Sequence, residues 1–228
     1  VKRGVSELVT PGVSYNDLTL NSTQNNFLAS IYYGKDSIGI SFLDISTGEF
    51  LIDQGDKEYV NKLLHDLSPK EVLFEKHNQM IFNQDFDSLS CVFGLDEWIF
   101  TKDYTEGLLL SKFQTKSLKG FGVEDLHNGN IAAGAILHYL NETNHKKTDH
   151  ILSVSRIGLE QYVWLDRFTV RNLEIFYPLN KEGKTLIDIL DHTSSPMGSR
   201  LLKRWLSLPL KNRKALQSRI DIVDAFKG

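Results

Sequence analysis

Three runs rich in aromatic and β-branched residues, Phe27–Tyr33, Ser37–Leu43 and Glu49–Ile52, follow one another closely. Gly34-Lys35-Asp36 and Ser46-Thr47-Gly48 separate them. Connections this short join antiparallel neighbours, so the spacing predicts a three-stranded meander. In the middle run Ile38, Ile40 and Phe42 alternate with Gly39, Ser41 and Leu43, which commits one face to a core. A helix is expected from Asp56 to Leu67, with Val60, Leu63, Leu64 and Leu67 on one stripe. Ser68-Pro69 ends it, because proline disfavours helix in the residue before it. Short strands are expected at Glu71–Phe74 and Leu89–Phe93. Helices are expected at Tyr104–Phe113, weakened by about 1 kcal/mol at Gly107, and at Asn130–Asn144. Strands interleaved with helices indicate an α/β domain up to about residue 146.

Beyond that point the pattern changes. After an extended stretch at Ile151–Leu159, helical periodicity occupies Leu165–Phe176, Lys184–Leu190, Ser195–Leu206 and Asn212–Phe226. Ser195 is a natural N-cap with Pro196 at the first helical position. Met197, Leu201 and Trp205 stack at four-residue spacing, and Leu216, Ile220, Val223 and Phe226 form the buried face expected of the last helix. Stripes this wide on so few helices require further helices to close a core. Charge changes sign at the same place. Residues 1–146 hold 12 Lys and Arg against 20 Asp and Glu, whereas residues 147–228 hold 14 against 9. At the start of the chain, Thr10-Pro11-Gly12 predicts a type II turn with a positive φ at the glycine.

A hydrophobic fraction of 41% excludes disorder over most of the length. No apolar run approaches the ~18 residues of a membrane span, and no apolar segment follows Val1-Lys2-Arg3-Gly4 as a signal peptide would require. The single Cys91 cannot form an internal disulfide, so a cytoplasmic location is the expectation. A start at Val1 and a stop at Lys227-Gly228, as a helix ends, suggest a fragment of a larger chain or a processed product.

The chemistry-bearing residues give no enzyme. Gly183-Lys184-Thr185 resembles the end of a phosphate-binding loop, but the position needing the first glycine is Pro178, which lacks an N–H. A helix-initiating loop is the simpler reading. Asp44 and Glu75, each ending a strand, could together begin the carboxylate set of a two-metal nuclease. Asp44 is more simply an acceptor for N–H groups in the Ile45–Gly48 turn. No histidine pair has ligand spacing, so no metal is expected, and Cys91 reads as a buried packing residue. Arg200, Lys203, Arg204, Lys211, Arg213 and Lys214 cluster with no acid between His192 and Ile220. They are a weak candidate for DNA backbone contact and a better one for a solvated or partner-facing surface.

Several segments, read together, resemble MutS, the bacterial DNA mismatch-recognition family. They are Val9-Thr10-Pro11-Gly12, Gly120-Phe121-Gly122-Val123-Glu124, Ala132-Ala133-Gly134-Ala135 and Arg171-Asn172-Leu173-Glu174. The most specific is Leu190-Asp191-His192-Thr193 with Met197-Gly198-Ser199-Arg200-Leu201-Leu202-Lys203-Arg204-Trp205-Leu206. Val13 departs from the threonine common there, without functional consequence. The resemblance implies an inter-domain linker at 1–14, then a connector domain of ribonuclease H-like α/β fold at 15–146. The first part of an all-α, incomplete lever domain follows at 147–228. It implies a non-catalytic piece that relays conformational change between mismatch-binding and ATPase domains and docks MutL. The family's Phe-x-Glu mismatch reader is absent from these residues. No cofactor is expected in this segment; ATP and Mg, mismatched double-stranded DNA and homodimerisation belong to the longer parent. An acidic connector suits a basic patch on its partner, which makes Tyr104–Phe113, with Asp103 and Glu106, the expected docking helix. Lys146–His150 is the expected hinge.

Overall fold

The computed structural model describes residues 8–13, 25–86, 89, 91–145, 148–158, 162–163, 165–180 and 182–227. They form two compact units that change over between Ile157 and Gly158, except that His65–Leu67 group with the second.

The first unit is built on a mixed sheet. Its meander is β1 (Phe27–Tyr33), β2 (Ile38–Asp44) and β3 (Glu49–Gly55), paired antiparallel in register from Phe27 opposite Asp44 to Tyr33 opposite Ile38. Beyond it, β4 (Glu71–Glu75) pairs parallel to β1, and β5 (Val92–Leu95) pairs parallel to β4 at the edge. On the other side β6 (Ser155–Arg156) pairs parallel to β3. The unit therefore runs past residue 146, where composition changes, because the extended stretch after it adds to the sheet. A parallel neighbour requires a crossover. Helix α1 (Lys57–Leu67) supplies the one from β3 to β4, capped by Asp56, whose side chain accepts from Tyr59 N at 2.8 Å. It ends at Ser68 in the left-handed conformation, φ 43°, immediately before Pro69. The short helix α2 (Gln79–Asp85) carries no sequence signal, since only Phe82 of its residues is buried.

Helices α3 (Lys102–Lys112) and α4 (His127–Glu142) complete the unit. From Gly129 to Leu140 every residue of α4 is buried, as expected of a helix enclosed on all sides. It packs on β1–β3 and on α3. This explains why β2 is buried on both faces rather than one. A Cβ at Gly39 would stand 2.1 Å from the backbone of Asn128, so only glycine lets the helix lie this close.

Two local expectations are corrected. Pro11–Val13 is a 3-10 turn, and Gly12 does not have a positive φ. Glycine is needed there because a Cβ would meet the Glu71 and Leu28 side chains at 2.8–2.9 Å. The strand expected at Leu89–Phe93 lies at Val92–Leu95. Cys91 is half-buried, and Val92 and Phe93 are exposed, because β5 has a neighbour on one side only among the described residues.

The second unit comprises, among its described residues, α5 (Arg167–Asn172), α6 (Leu186–Leu190), α7 (Pro196–Ser207), α8 (Arg213–Lys227) and an isolated bridge between Tyr162 and Leu210. Ser195 caps α7 by accepting from Gly198 N at 3.2 Å, with Pro196 following. The face of α8 expected to be buried is exposed at Leu216, Ile220, Val223 and Phe226, the last to 88%. Met197 of α7 is likewise 73% exposed.

Candidate partner-docking site

Helix α3 begins after Thr101, whose hydroxyl and N–H fold back on Trp98 O at 2.9 and 3.4 Å. Thr105 and Leu109 are its buried residues; Asp103, Glu106 and Gly107 are exposed. Thr105 packs closely on α4, since a Cβ at Gly134 would stand 2.3 Å from that of Thr105. One turn away, the Tyr104 hydroxyl lies 2.7 Å from His138 Nδ1 of α4. The α3 face is thus a fixed platform. Asp103 and Glu106, the residues expected to dock a partner, both point to solvent from it. Glu106 also lines a cavity of about 260 Å³ floored by Thr105, Leu118, Asn130 and Ile131.

A second feature is the attachment of the segment entering this unit. Glu71 is 3% exposed. One of its carboxylate oxygens accepts from Thr10 Oγ1 at 2.5 Å and Gly12 N at 3.0 Å, and the other from the Tyr139 hydroxyl at 2.8 Å. Asn26 Nδ2 donates to Pro11 O at 2.9 Å, Leu8 N donates to Thr143 O at 3.0 Å, and His145 Nε2 lies 3.1 Å from Val13 O. Burial and the neighbouring Glu71 push the Tyr139 hydroxyl up, which keeps it a donor. Glu71 at the head of its strand carried no sequence signal, because its ligands lie about 60 residues or more away in the chain.

The paired carboxylates do not form a site. Asp44 is level with Phe27, and Glu71 with Leu28, so Glu75 is level with Tyr32 at the opposite end of β1. Five residues of strand separate them by roughly 16 Å. Asp44 accepts from Asn25 Nδ2, Asn26 N, Ser46 N and Ser46 Oγ at 2.6–3.2 Å, which is the turn-acceptor role. Glu75 accepts from Asn78 at 2.9 Å, and burial raises its carboxyl above the ordinary range despite nearby His77.

In the second unit, Thr185 is the N-cap of α6 in a reciprocal capping box with Asp188, at 3.0 and 3.2 Å. Its hydroxyl is engaged by the helix start, as the helix-initiating reading requires. The basic residues divide: Lys211, Arg213 and Lys214 are exposed, whereas Arg200, Lys203 and Arg204 are half-buried. Burial, with the charge of Arg219 behind it, lowers the Arg204 pKa, and Arg219 itself stacks 4.4 Å over the Trp205 ring. The six therefore do not make one solvated face. Of the expected hinge, Lys146 and Lys147 lie outside the described residues. Thr148 is tied to Lys112 Nζ at 2.6 Å and His150 to Ile45 O at 2.6 Å.

Family models agree with this layout. One described as MutS domain II matches residues 26–152, and one described as MutS domain III matches residues 168–228. The chain belongs to the MutS family. It is 56% identical over 227 residues to the DNA mismatch repair protein MutS of Flavobacterium psychrophilum, and 58% identical over 224 residues to that of Cytophaga hutchinsonii. These alignments cover 100% and 98% of this chain and 26% of each relative, so the chain spans about a quarter of the length of the MutS proteins it matches. Among solved structures, a Fowlpox virus resolvase with Holliday junction DNA aligns at a TM-score of 0.34 and 14% identity, over 50% of this chain and 98% of that one. A likeness at that level carries no argument. No described helix is long and apolar enough to cross a membrane.

Proposed function

We propose that the chain is the connector and first lever segment of a mismatch-recognition protein, a non-catalytic relay and docking module. The connector would be a ribonuclease H-like domain that runs on to Ile157, past the boundary at 146 expected from composition, and the lever the helical segment after it that awaits its later helices. The observation that carries the docking part is the rigid face of α3, with Asp103 and Glu106 exposed on a helix clamped to the buried α4. Such a face suits a basic surface of MutL.

The relay part is supported by the Glu71 knot. A chain entry held by Thr10, Gly12, Asn26 and His145 transmits rotation from whatever precedes it, where a slack linker would absorb it. In the cytoplasmic parent, a homodimer, mismatched double-stranded DNA upstream and ATP with Mg downstream would each favour one arrangement of the lever. Their coupling is then reciprocal.

Surface plasmon resonance with the N-terminal region of the cognate MutL tests the docking. Saturable capture by this chain, lost on charge reversal of Asp103 and Glu106 with the far-UV spectrum unchanged, is expected. Undiminished capture by the reversed variant removes α3 from the interface. A mismatched duplex run in parallel at two salt concentrations should bind weakly and lose affinity with salt.

A further inference from the structure

Trp98 is a large aromatic residue of the first unit that stands half exposed. It sits on the 3-10 turn Glu97–Phe100, between a buried Ile99–Phe100 pair and an exposed Glu97. Those two apolar anchors and the Thr101 bonds to Trp98 O fix the backbone. The indole is fixed as well. It packs edge-on against Tyr104 of α3 (centroids 5.2 Å, 60°) and His138 of α4 (5.2 Å, 86°), yet 53% of the residue is open to solvent. A tryptophan held rigid by two other rings and left half exposed has paid its ordering entropy before any partner arrives.

Its electrostatic setting is mainly acidic. Asp96 is neutralised by Lys76 at 2.8 Å, but Glu97, Asp103 and Glu142 are exposed around the turn and the two helices that hold the indole. Lys102 is the cation on the same helical turn as Asp103. Glu142 Oε1 stands 3.3 Å from His138 Nε2, and that buried nitrogen has no hydrogen-bond partner among the described residues. The Tyr104 hydroxyl and His138 Nδ1 lie 2.7 Å apart, and the other ring nitrogen faces Glu142. Burial and the charge of Glu142 raise the Tyr104 pKa and keep that hydroxyl protonated. Carboxylates beside an exposed π-face repel phosphate and attract a cation, which favours a protein partner over nucleic acid.

We infer that Trp98, with the exposed carboxylates of Glu142 and Asp103 on the two helices that hold it, is a receptor for a basic side chain, a guanidinium or ammonium, presented by a protein partner. The indole face supplies cation–π attraction and apolar area for the side-chain stem, and the carboxylates supply the counter-charge. The inference rests on the docking reading of α3 and extends that surface to the turn before it, with Trp98 as its anchor.

The test uses the 228-residue chain. The indole N–H resonance of Trp98, assigned with Trp98→Phe, is followed during titration with N-acetyl-arginine amide and then with N-acetyl-glutamine amide. A shift at Trp98 with the first and not the second is expected, with Trp164 and Trp205 unmoved. Equal shifts with both, or none, overturn the inference. So does a larger shift at Trp98 with single-stranded DNA than with the arginine derivative.

In parallel, capture of the MutL N-terminal region by Trp98→Ala should weaken at least tenfold, and by Trp98→Phe less. Unchanged thermal unfolding would show that the variants are folded. Wild-type capture with Trp98→Ala within twofold of it overturns the inference and leaves the α3 reading standing. No wild-type capture sinks the docking reading, and the arginine titration then decides the Trp98 site alone.

Discussion

The two units of this chain solve the burial problem differently. The first encloses its apolar residues: α4 is buried all round, and Phe42, Phe74, Ile31, Ile40 and Leu63 have 2% exposure or less. The second places apolar residues at regular helical spacing and leaves them open, Phe226 to 88% and Met197 to 73%. Hydrophobic patterning alone does not distinguish these cases, since α7 is as clearly amphipathic as α1. What distinguishes them is whether the same chain brings a second surface to each stripe. In the first unit the crossovers do so, and the helix closest to the sheet needs glycine at the contact. Exposed features divide along the same line, with rigid ones on the closed unit and uncovered apolar faces on the open one.

The largest expected effect breaks the closed unit. Gly39→Val forces a branched side chain into the Asn128 backbone of α4, where neither partner can yield, and should cost about 3 kcal/mol in urea unfolding. Next comes the entry knot. Glu71→Ala leaves the Thr10 hydroxyl, Gly12 N–H and Tyr139 hydroxyl without their shared acceptor, a loss of about 2 kcal/mol read from the same transition. A knot of merely surface value would lose a few tenths.

Gly107 faces no atom within 4 Å, so Gly107→Ala should stabilise α3 by about 0.5–1 kcal/mol, sharpening the contrast with Gly39. Glu75 gives a pH signature. Its folded pKa lies above the ordinary 4.5, so the folded state binds the proton more tightly, and stability falls as pH rises from 4.5 through the folded pKa. Glu75→Gln should therefore unfold at higher temperature than wild type at pH 7, with the gap closing by pH 4. The smallest change in stability belongs to the open unit. Phe226→Ser should alter unfolding by less than about 0.5 kcal/mol while reducing self-association in sedimentation velocity.

Much of the first unit was legible in advance because its signals are local. The meander, α1 with Asp56 and Pro69 at its ends, and α4 follow from periodicity and turn residues within a few positions. The edges were not. β5 slipped to Val92–Leu95, since a strand paired on one side has little apolar pattern to fix its register. Gly12 looked like a turn glycine, whereas its reason, Glu71, is 59 residues away. The same distance problem hid the candidate site. Asp103 and Glu106 could be placed on a helix from sequence. That Trp98, Tyr104 and His138 meet depends on how the 3-10 turn Glu97–Phe100, α3 and α4 pack, which no spacing encodes. For Asp44 and Glu75 the strand ends were read correctly. Their separation followed only from the parallel register of β4 on β1.

Amide hydrogen exchange on the intact chain tests the contrast between the units most directly. Ile131 to Leu140 of α4 should exchange only through global unfolding of the first unit, while the amides of α7 and α8 should exchange at least a hundredfold faster, through local opening. Equal protection of α4 and α8 would contradict the account, because helices with uncovered apolar faces would then be as firmly held as one buried on every side.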